Sequence, residues 1–407
     1  MFIKSVNTNF VCFKFTNQCK STLQRTQFFV KLLVIDINKN SMLKPICLSI
    51  AVLSCSLLNA QETTIAPKYS NEFLSLGVGA ESFGMGNAVI ASTANANSIY
   101  WNPAGLTSIN KWAEVSFMHS EYFAGIAKYD YLGIAHSIDD KSALGFAAIR
   151  FGVDDITNTT QLIDNNGVIN YDNVTSFTAG DYAFMLSYAR KLKVPGLSLG
   201  GTAKVIYRKV GDFAKSFGFG IDAGLQYHLP KNWKFGLMAR DVSSTFNAWV
   251  FELDDATRNV YINTGNAIPQ NGLELTLPRI ILAAAGNFDI GSKGLNAGGE
   301  IDFDITTDGK RNVLISANPI SIDPHAGLFF GFKELVKVRM GISNVQQFTN
   351  LDDSKYWGIQ PNIGMGLAFK GFSLDYAFTR LGASEANYYT HIFSVRIKLD
   401  KPKNAVK

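Results

Sequence analysis

The chain has 407 residues, of which 17% are charged and 12% aromatic, with a formal net charge of +5. Charged residues make up about a quarter of an ordinary soluble domain. No segment after residue 60 holds the roughly 20 uninterrupted apolar residues of a membrane helix, so the composition suits a membrane β-barrel or a large all-β soluble protein.

All four cysteines, Cys12, Cys19, Cys47 and Cys55, precede residue 60. The chain beyond them can hold neither a disulfide framework nor a Cys-ligated metal. Met42-Leu43-Lys44 is a short basic start, Pro45 to Leu58 an apolar run, and Leu58-Asn59-Ala60 a small-residue cleavage site before Gln61. Residues 42–60 therefore read as a signal peptide and 1–41 as an over-extended gene start, with a genuine extended leader as the alternative. A lipoprotein reading at Cys55 fits poorly, because Val52-Leu53-Ser54 does not make a lipobox. Residues 1–60 carry seven basic residues and one acidic residue. The positive balance leaves with them, and so does the case for a nucleic-acid partner.

Residues 61–112 form a lead-in and a compact, nearly uncharged stretch. Gly84-Met85-Gly86-Asn87 opens it, small residues fill 88–98, and Tyr100-Trp101-Asn102-Pro103-Ala104-Gly105-Leu106 ends it. Asn-Pro initiates a turn, and Pro103 restricts both itself and Asn102. Glycines let backbone pass close to backbone. The stretch reads as a hatch made to sit inside the wall that follows.

From Ala113 the texture changes to period-two segments of about ten residues. Fourteen are predicted: 113–121, 128–138, 142–153, 178–192, 197–209, 216–228, 233–242, 277–289, 295–306, 324–333, 335–344, 360–369, 371–380 and 388–399. Connections after every second strand are tight, while 154–177, 243–276, 307–323 and 345–359 are long. Short turns on one side and longer loops on the other are the layout of an outer-membrane barrel. An even strand count places both chain ends in the periplasm, leaving 401–407 as a periplasmic tail. Phe393, Val395, Ile397 and Leu399 alternate with Ser394, Arg396 and Lys398; Glu300, Asp302 and Asp304 share one face. Such charged faces are expected to look into a wet lumen, with a soluble β-sandwich as the bland alternative. Open sheet edges in lipid cost several kcal/mol per unpaired group, so the last strand should pair with the first.

Catalytic and cofactor motifs are weak. Gly84-x-Gly86 would need glycine at Val89 for a dinucleotide fingerprint, and Met85 stands where a phosphate-binding loop needs lysine. The five histidines lie singly, with no metal-ligand spacing. No GxSxG appears, and Ser120 beside His119 is adjacency, not a dyad. The pairs Asp154-Asp155, Asp254-Asp255 and Asp352-Asp353 fall in or at long loops and read as solvated. Trp101, Trp112, Trp249 and Trp357 fall near strand ends or in loops, where some belong to interfacial girdles; Trp249 and Trp357 equally suit partner anchors. No cofactor, no metal and no enzymatic activity is expected.

The opening stretch, Gly84-Met85-Gly86-Asn87-Ala88 with Ser98-Ile99-Tyr100-Trp101-Asn102-Pro103-Ala104-Gly105-Leu106, resembles the start of the PorV/PorQ family of type IX secretion outer-membrane proteins. These are distant relatives of the FadL fatty acid transporters, which carry a related Asn-Pro-Ala hatch and a fourteen-stranded barrel. The resemblance implies a non-enzymatic barrel that binds or shuttles secreted cargo by its C-terminal signal domain. Its implied partners are the translocon, the surface attachment complex and outer-membrane lipid. Only the hatch positions carry over: Gly84, Gly86, Trp101, Asn102, Pro103, Ala104 and Gly105, in an architectural role. A FadL-like channel for long-chain fatty acids or other hydrophobic small molecules is the alternative. A lipid-modifying enzyme would need a Ser/His or Asp/His pair at the rim, and the sequence offers none.

Overall fold

The computed structural model describes residues 70–163, 167–350, 352–381 and 388–401. The expected leader and signal peptide, the four cysteines, the lead-in before Ser70 and the tail after 401 lie outside the described residues.

Alternating outward apolar and inward small or polar side chains give seventeen strand segments in one antiparallel sheet. They are β1 (Ala113–Tyr122), β2 (Ala127–Ser137), β3 (Ser142–Asn158), β4 (Thr175–Lys191), β5 (Leu197–Val210) and β6 (Ala214–His228). Then come β7 (Trp233–Arg240), β8 (Thr245–Phe251), β9 (Gly272–Thr276), β10 (Arg279–Ile290), β11 (Leu295–Thr306) and β12 (Ile315–Ser316). The last are β13 (Ser321–Phe332), β14 (Val336–Thr349), β15 (Lys355–Phe369), β16 (Phe372–Leu381) and β17 (Tyr388–Leu399).

β1 pairs with β2 and also with β17, from Ala113↔Leu399 to Glu121↔His391, so the sheet closes on itself. The segments make fourteen staves. β6 pairs with β7 along Ala223–His228 and with β8 along Ala214–Phe219, so β7 and β8 are halves of one stave. β10 and β9 pair with them in turn, and β12 is a two-residue patch on β13. Strand count, closure and the fourteen segment positions follow the sequence pattern.

On β4, Phe184, Leu186 and Tyr188 are exposed while Ala183, Met185, Ser187 and Ala189 are buried. On β17, Phe393 and Ile397 are exposed and Ser394 is buried. Exposed large apolar side chains recur on stave after stave, far beyond the patch of a few hundred Å² that a water-soluble surface tolerates. Closure through β1 and β17 leaves no free first or last strand to face that lipid. Three tight turns carry two consecutive positive φ angles: Lys231 and Asn232 at 75° and 71°, Lys333 and Glu334 at 48° and 55°, Lys370 and Gly371 at 46° and 85°. This geometry matches the twist of antiparallel neighbours.

The four long connections are more ordered than the sequence reading allowed. β3 and β4 stay paired to Asn158↔Thr175, past a bulge between Val153 and Ile156. The stretch 243–276 holds β8, β9 and a helix, Asp255–Asn263. β14 and β15 stay paired to Thr349↔Lys355. Above the apolar band the outward face need not be apolar, so period-two alternation fades while backbone pairing continues. The acidic pairs have local duties there. Asp254 caps the helix by accepting the Thr257 N–H at 2.7 Å, Asp154 accepts from Arg150 at 3.1 Å, and Asp352 accepts the Ser354 N–H at 3.0 Å.

Candidate ligand site and the segment within the barrel

Residues 70–109 lie against the inward face of the wall around its circumference. The Ala80 N–H donates to Ser394 Oγ on β17 at 2.7 Å. Asp302 Oδ2 on β11 accepts the Val89 and Ile90 N–H groups at 3.0 and 3.2 Å, and Glu300 accepts those of Ala91 and Ser92 at 2.5 and 3.1 Å. Gln226 Nε2 on β6 donates to the Ile90 and Thr93 carbonyls, both at 3.0 Å. Glu114 on β1 accepts the Ala96 N–H at 2.8 Å. The carboxylates on the inward face of β11 thus grip four consecutive backbone donors.

The sequence-predicted residues fall into two groups within this segment. Gly84 and Gly86 make one: a Cβ at Gly84 would stand 2.9 Å from the Gly364 Cα, and Gly86 has φ +64° with the Ile342 backbone where its Cβ would be. The other is the Trp101–Gly105 corner. Trp101 Nε1 donates to the Val78 carbonyl at 2.8 Å. Asn102 Nδ2 donates to the carbonyls of Ile90 and Leu225, at 3.0 and 3.1 Å, while its Oδ1 accepts the Ala104 N–H at 3.2 Å. Pro103 starts a short 3-10 helix, Pro103–Ser108, where no donor is needed. Gly105 packs on the Thr93 carbonyl and Ala104 is buried. Glu81, not singled out in the sequence, ties the segment to the wall through Arg396 at 2.7 Å and accepts from the Asn95 amide. Burial alone would push its carboxyl up; Arg396 and Arg339 outweigh burial and hold it at about 2.

At the long-loop end an apolar cavity of about 920 Å³ opens between the extended ends of β3 to β6, β8, β9 and the helix. Phe177 and Phe213 meet edge to face at 5.2 Å. Trp249 and Phe251 stack at 6.1 Å. Arg208 lies 5.0 Å over the Trp249 ring and is fixed by Asp181 at 2.7 Å. Trp249 Nε1 donates to Glu274 at 3.0 Å. Tyr261 on the helix and Leu273 on β9 complete the apolar lining. Such a volume lies within the range of small-molecule sites. Of this lining the sequence had marked only Trp249. Phe177, Phe213 and Tyr261 are far apart in the chain, and only an aromatic excess in long connections could have pointed to them.

The wall has a weak seam between β13 and β14. β13 pairs with β14 only from Ala326↔Ile342 to Phe332↔Val336. Beyond it the same edge of β13 takes β12 in place of β14, at Ile322↔Ile315 and Ser321↔Ser316, while Pro324 has no N–H to give, the β14–β15 register shifts between Ser343 and Gln346, and Asn344 has φ 49°. Asn312, in the loop leading to β12, ties that loop to β14: its Nδ2 donates to the Gln347 carbonyl at 2.9 Å and its Oδ1 accepts the Gln347 N–H at 3.1 Å. Phe303, Ile342 and Ile359 are exposed at this level, so the seam faces the apolar band. Inside it lies a polar cavity of about 330 Å³ bordered by Asp323, His325, Asn344 and Gln346.

Among the described residues no group of three or more His, Cys, Asp or Glu converges as metal ligands. His119 bonds Asp130 at 2.7 Å, His136 the Trp112 carbonyl at 2.7 Å, and His325 the Gly86 carbonyl at 3.0 Å.

Closed fold, apolar outer face and inward polar face define a transmembrane β-barrel of the outer-membrane class. No family model matches the chain, and no curated protein matches it. Among solved structures, it is similar in fold to the CymD monoaromatic hydrocarbon channel, with a TM-score of 0.51 and 14% identity over 80% of this chain and 98% of that one. The Pseudomonas putida toluene transporter TodX matches at a TM-score of 0.44 and 14% identity, over 79% of this chain and 96% of its own. A Pseudomonas aeruginosa FadL homologue matches at 0.46 and 11%, over 79% and 98%. At these identities the likeness is one of fold.

Proposed function

We propose that this chain is a non-enzymatic outer-membrane channel that takes up a hydrophobic small molecule, a monoaromatic compound or an acyl chain. The aromatic cavity at the long-loop end carries this reading. In it that end faces the cell exterior, the short turns and both chain ends face the periplasm, and residues 61–112 serve as the hatch. In this reading the short β13/β14 ladder, filled in only by the two residues of β12, serves as a sideways exit toward lipid. The hydrocarbon channel that shares the fold adds support. Binding of a fluorescent acyl probe and of toluene to the purified barrel tests it. Trp249→Ala is expected to weaken binding roughly tenfold, since losing a buried aromatic contact costs on the order of 1.5 kcal/mol. No saturable binding of either ligand would end the proposal.

A second reading is favoured by the Trp101-Asn102-Pro103-Ala104-Gly105 resemblance and by the polar face that the wall turns to residues 70–109. In it the barrel is a type IX secretion component that holds secreted cargo or sits against the translocon, with aromatic loop residues such as Trp249 and Trp357 as protein anchors. Affinity capture from mild-detergent membranes separates the two. Co-purification of a giant translocon barrel, or of secreted proteins sharing a C-terminal domain, favours secretion; a solitary barrel carrying lipid favours the channel.

A further inference from the structure

We propose that the aromatic cavity at the long-loop end admits uncharged ligands and turns carboxylates away, with Glu274 as the group that discriminates. This rests on the reading of that cavity as the ligand site, and it narrows the substrate class. Neutral aromatics and uncharged acyl derivatives fall inside it; free fatty acids and aromatic acids fall outside. Strand register builds the charge pattern. Asp181 on β4 stands opposite Arg208 on β5, Arg208 opposite Ser216 on β6, and Ser216 opposite Trp249 on β8. Glu274 lies two residues beyond Gly272, the partner of Trp249 on β9. Arg208 donates from Nε and Nη2 to the two oxygens of Asp181, at 2.7 and 3.2 Å, and its Nη1 lies 3.5 Å from Glu274 Oε2. Two carboxylates thus share one guanidinium, and the group carries one negative charge in surplus.

The donors that could have met an anion are already engaged. Arg208 is held in a bidentate pair behind the Trp249 ring, and the Trp249 N–H goes to Glu274. Lys215 pairs with Glu252 at 2.6 Å and Lys209 with Asp212 at 3.1 Å. Arg258 on the helix is exposed, lies outside the lining and follows Asp254 and Asp255 by one turn. Among the described residues Glu274 is the only charged side chain in the lining. A carboxylate entering here would leave water, approach a like charge and face the negative faces of Phe177, Phe213, Trp249, Phe251 and Tyr261. An uncharged ligand gains the same aromatic contact without those costs, and Thr157, Thr159 and Gln270 line the cavity as neutral polar groups.

Titration calorimetry of the full barrel in a neutral detergent tests this, with toluene as reference and benzamide and benzoate as a pair matched in shape and opposed in charge. Benzamide is expected to bind about tenfold or more tightly than benzoate. Glu274→Gln keeps an acceptor for Trp249 and removes the charge, so the benzamide-to-benzoate ratio should fall about fivefold or more. Without saturable heat from toluene, the ligand-site reading and this inference fall together. If toluene binds, the inference alone is overturned when benzamide and benzoate behave alike, whether both bind or neither does, or when Glu274→Gln leaves their ratio unchanged. Should that variant fail to assemble, the ratio in the unaltered barrel decides alone.

Discussion

Asn102 shows how one side chain fixes a corner of backbone. It satisfies carbonyls on both sides of it and caps the short helix that follows. Asn102→Ala removes its bonds to the Leu225 carbonyl and to the Ile90 carbonyl, which keeps Gln226 as a donor, together with the cap on Ala104, and about 1–3 kcal/mol of stability should go with them. Thermal unfolding in detergent would read this as a lowered midpoint. Glu81 gives a pH-dependent counterpart. Its carboxyl is held at about 2 against an ordinary 4.5, so its ionised form favours the folded state. That contribution is present in full above about pH 4.5 and is lost as pH falls toward about 2. Glu81→Gln is therefore expected to lower the unfolding midpoint at pH 7, with the two proteins converging near the acid limit.

At the scale of elements, the β13/β14 seam departs most from a regular barrel. Pro324 takes a donor out of β13, a bulge displaces β14, β12 takes β14's place on β13, and Asn312 ties the loop before β12 to β14 by a paired side-chain bridge. Removing that bridge should loosen the seam alone. Asn312→Ala is predicted to speed hydrogen exchange across 343–349 while exchange in the fully paired β4–β5 ladder stays as it was. Equal protection in both proteins would show that the seam is held by something else. The extended hairpins do a different job: they carry aromatic side chains above the apolar band and enclose the cavity around Trp249.

For the molecule as a whole, lipid sorts the two faces. Leu186, 60% exposed on β4, stands outward beside Phe146 of β3, on the face turned to lipid. Leu186→Arg is expected to cost roughly 2–4 kcal/mol if the residue sits near the midplane. Folding into liposomes, followed by the gel shift between heated and unheated protein, would measure it. A neutral outcome would mean that this face is not in lipid.

The sequence by itself determined the barrel: the fourteen staves, the closing pair of β1 and β17, the inward charges of Glu300, Asp302 and Asp304, and the outward Phe393 and Ile397. These follow from period-two alternation and from the rule that no edge stays open in lipid, both local or global constraints that need no coordinates. It also marked the glycines and the Trp101–Gly105 corner, because positive φ, proline and close approach restrict residue type. Tertiary structure alone decided that strand pairing runs on above the apolar band, where alternation no longer reports it. It alone brought Phe177, Phe213, Trp249 and Tyr261 around one cavity. The facing of Asp181 and Arg208 likewise depends on the register of β4 on β5, and register between strands is set by packing and turn geometry rather than by either strand's own residues.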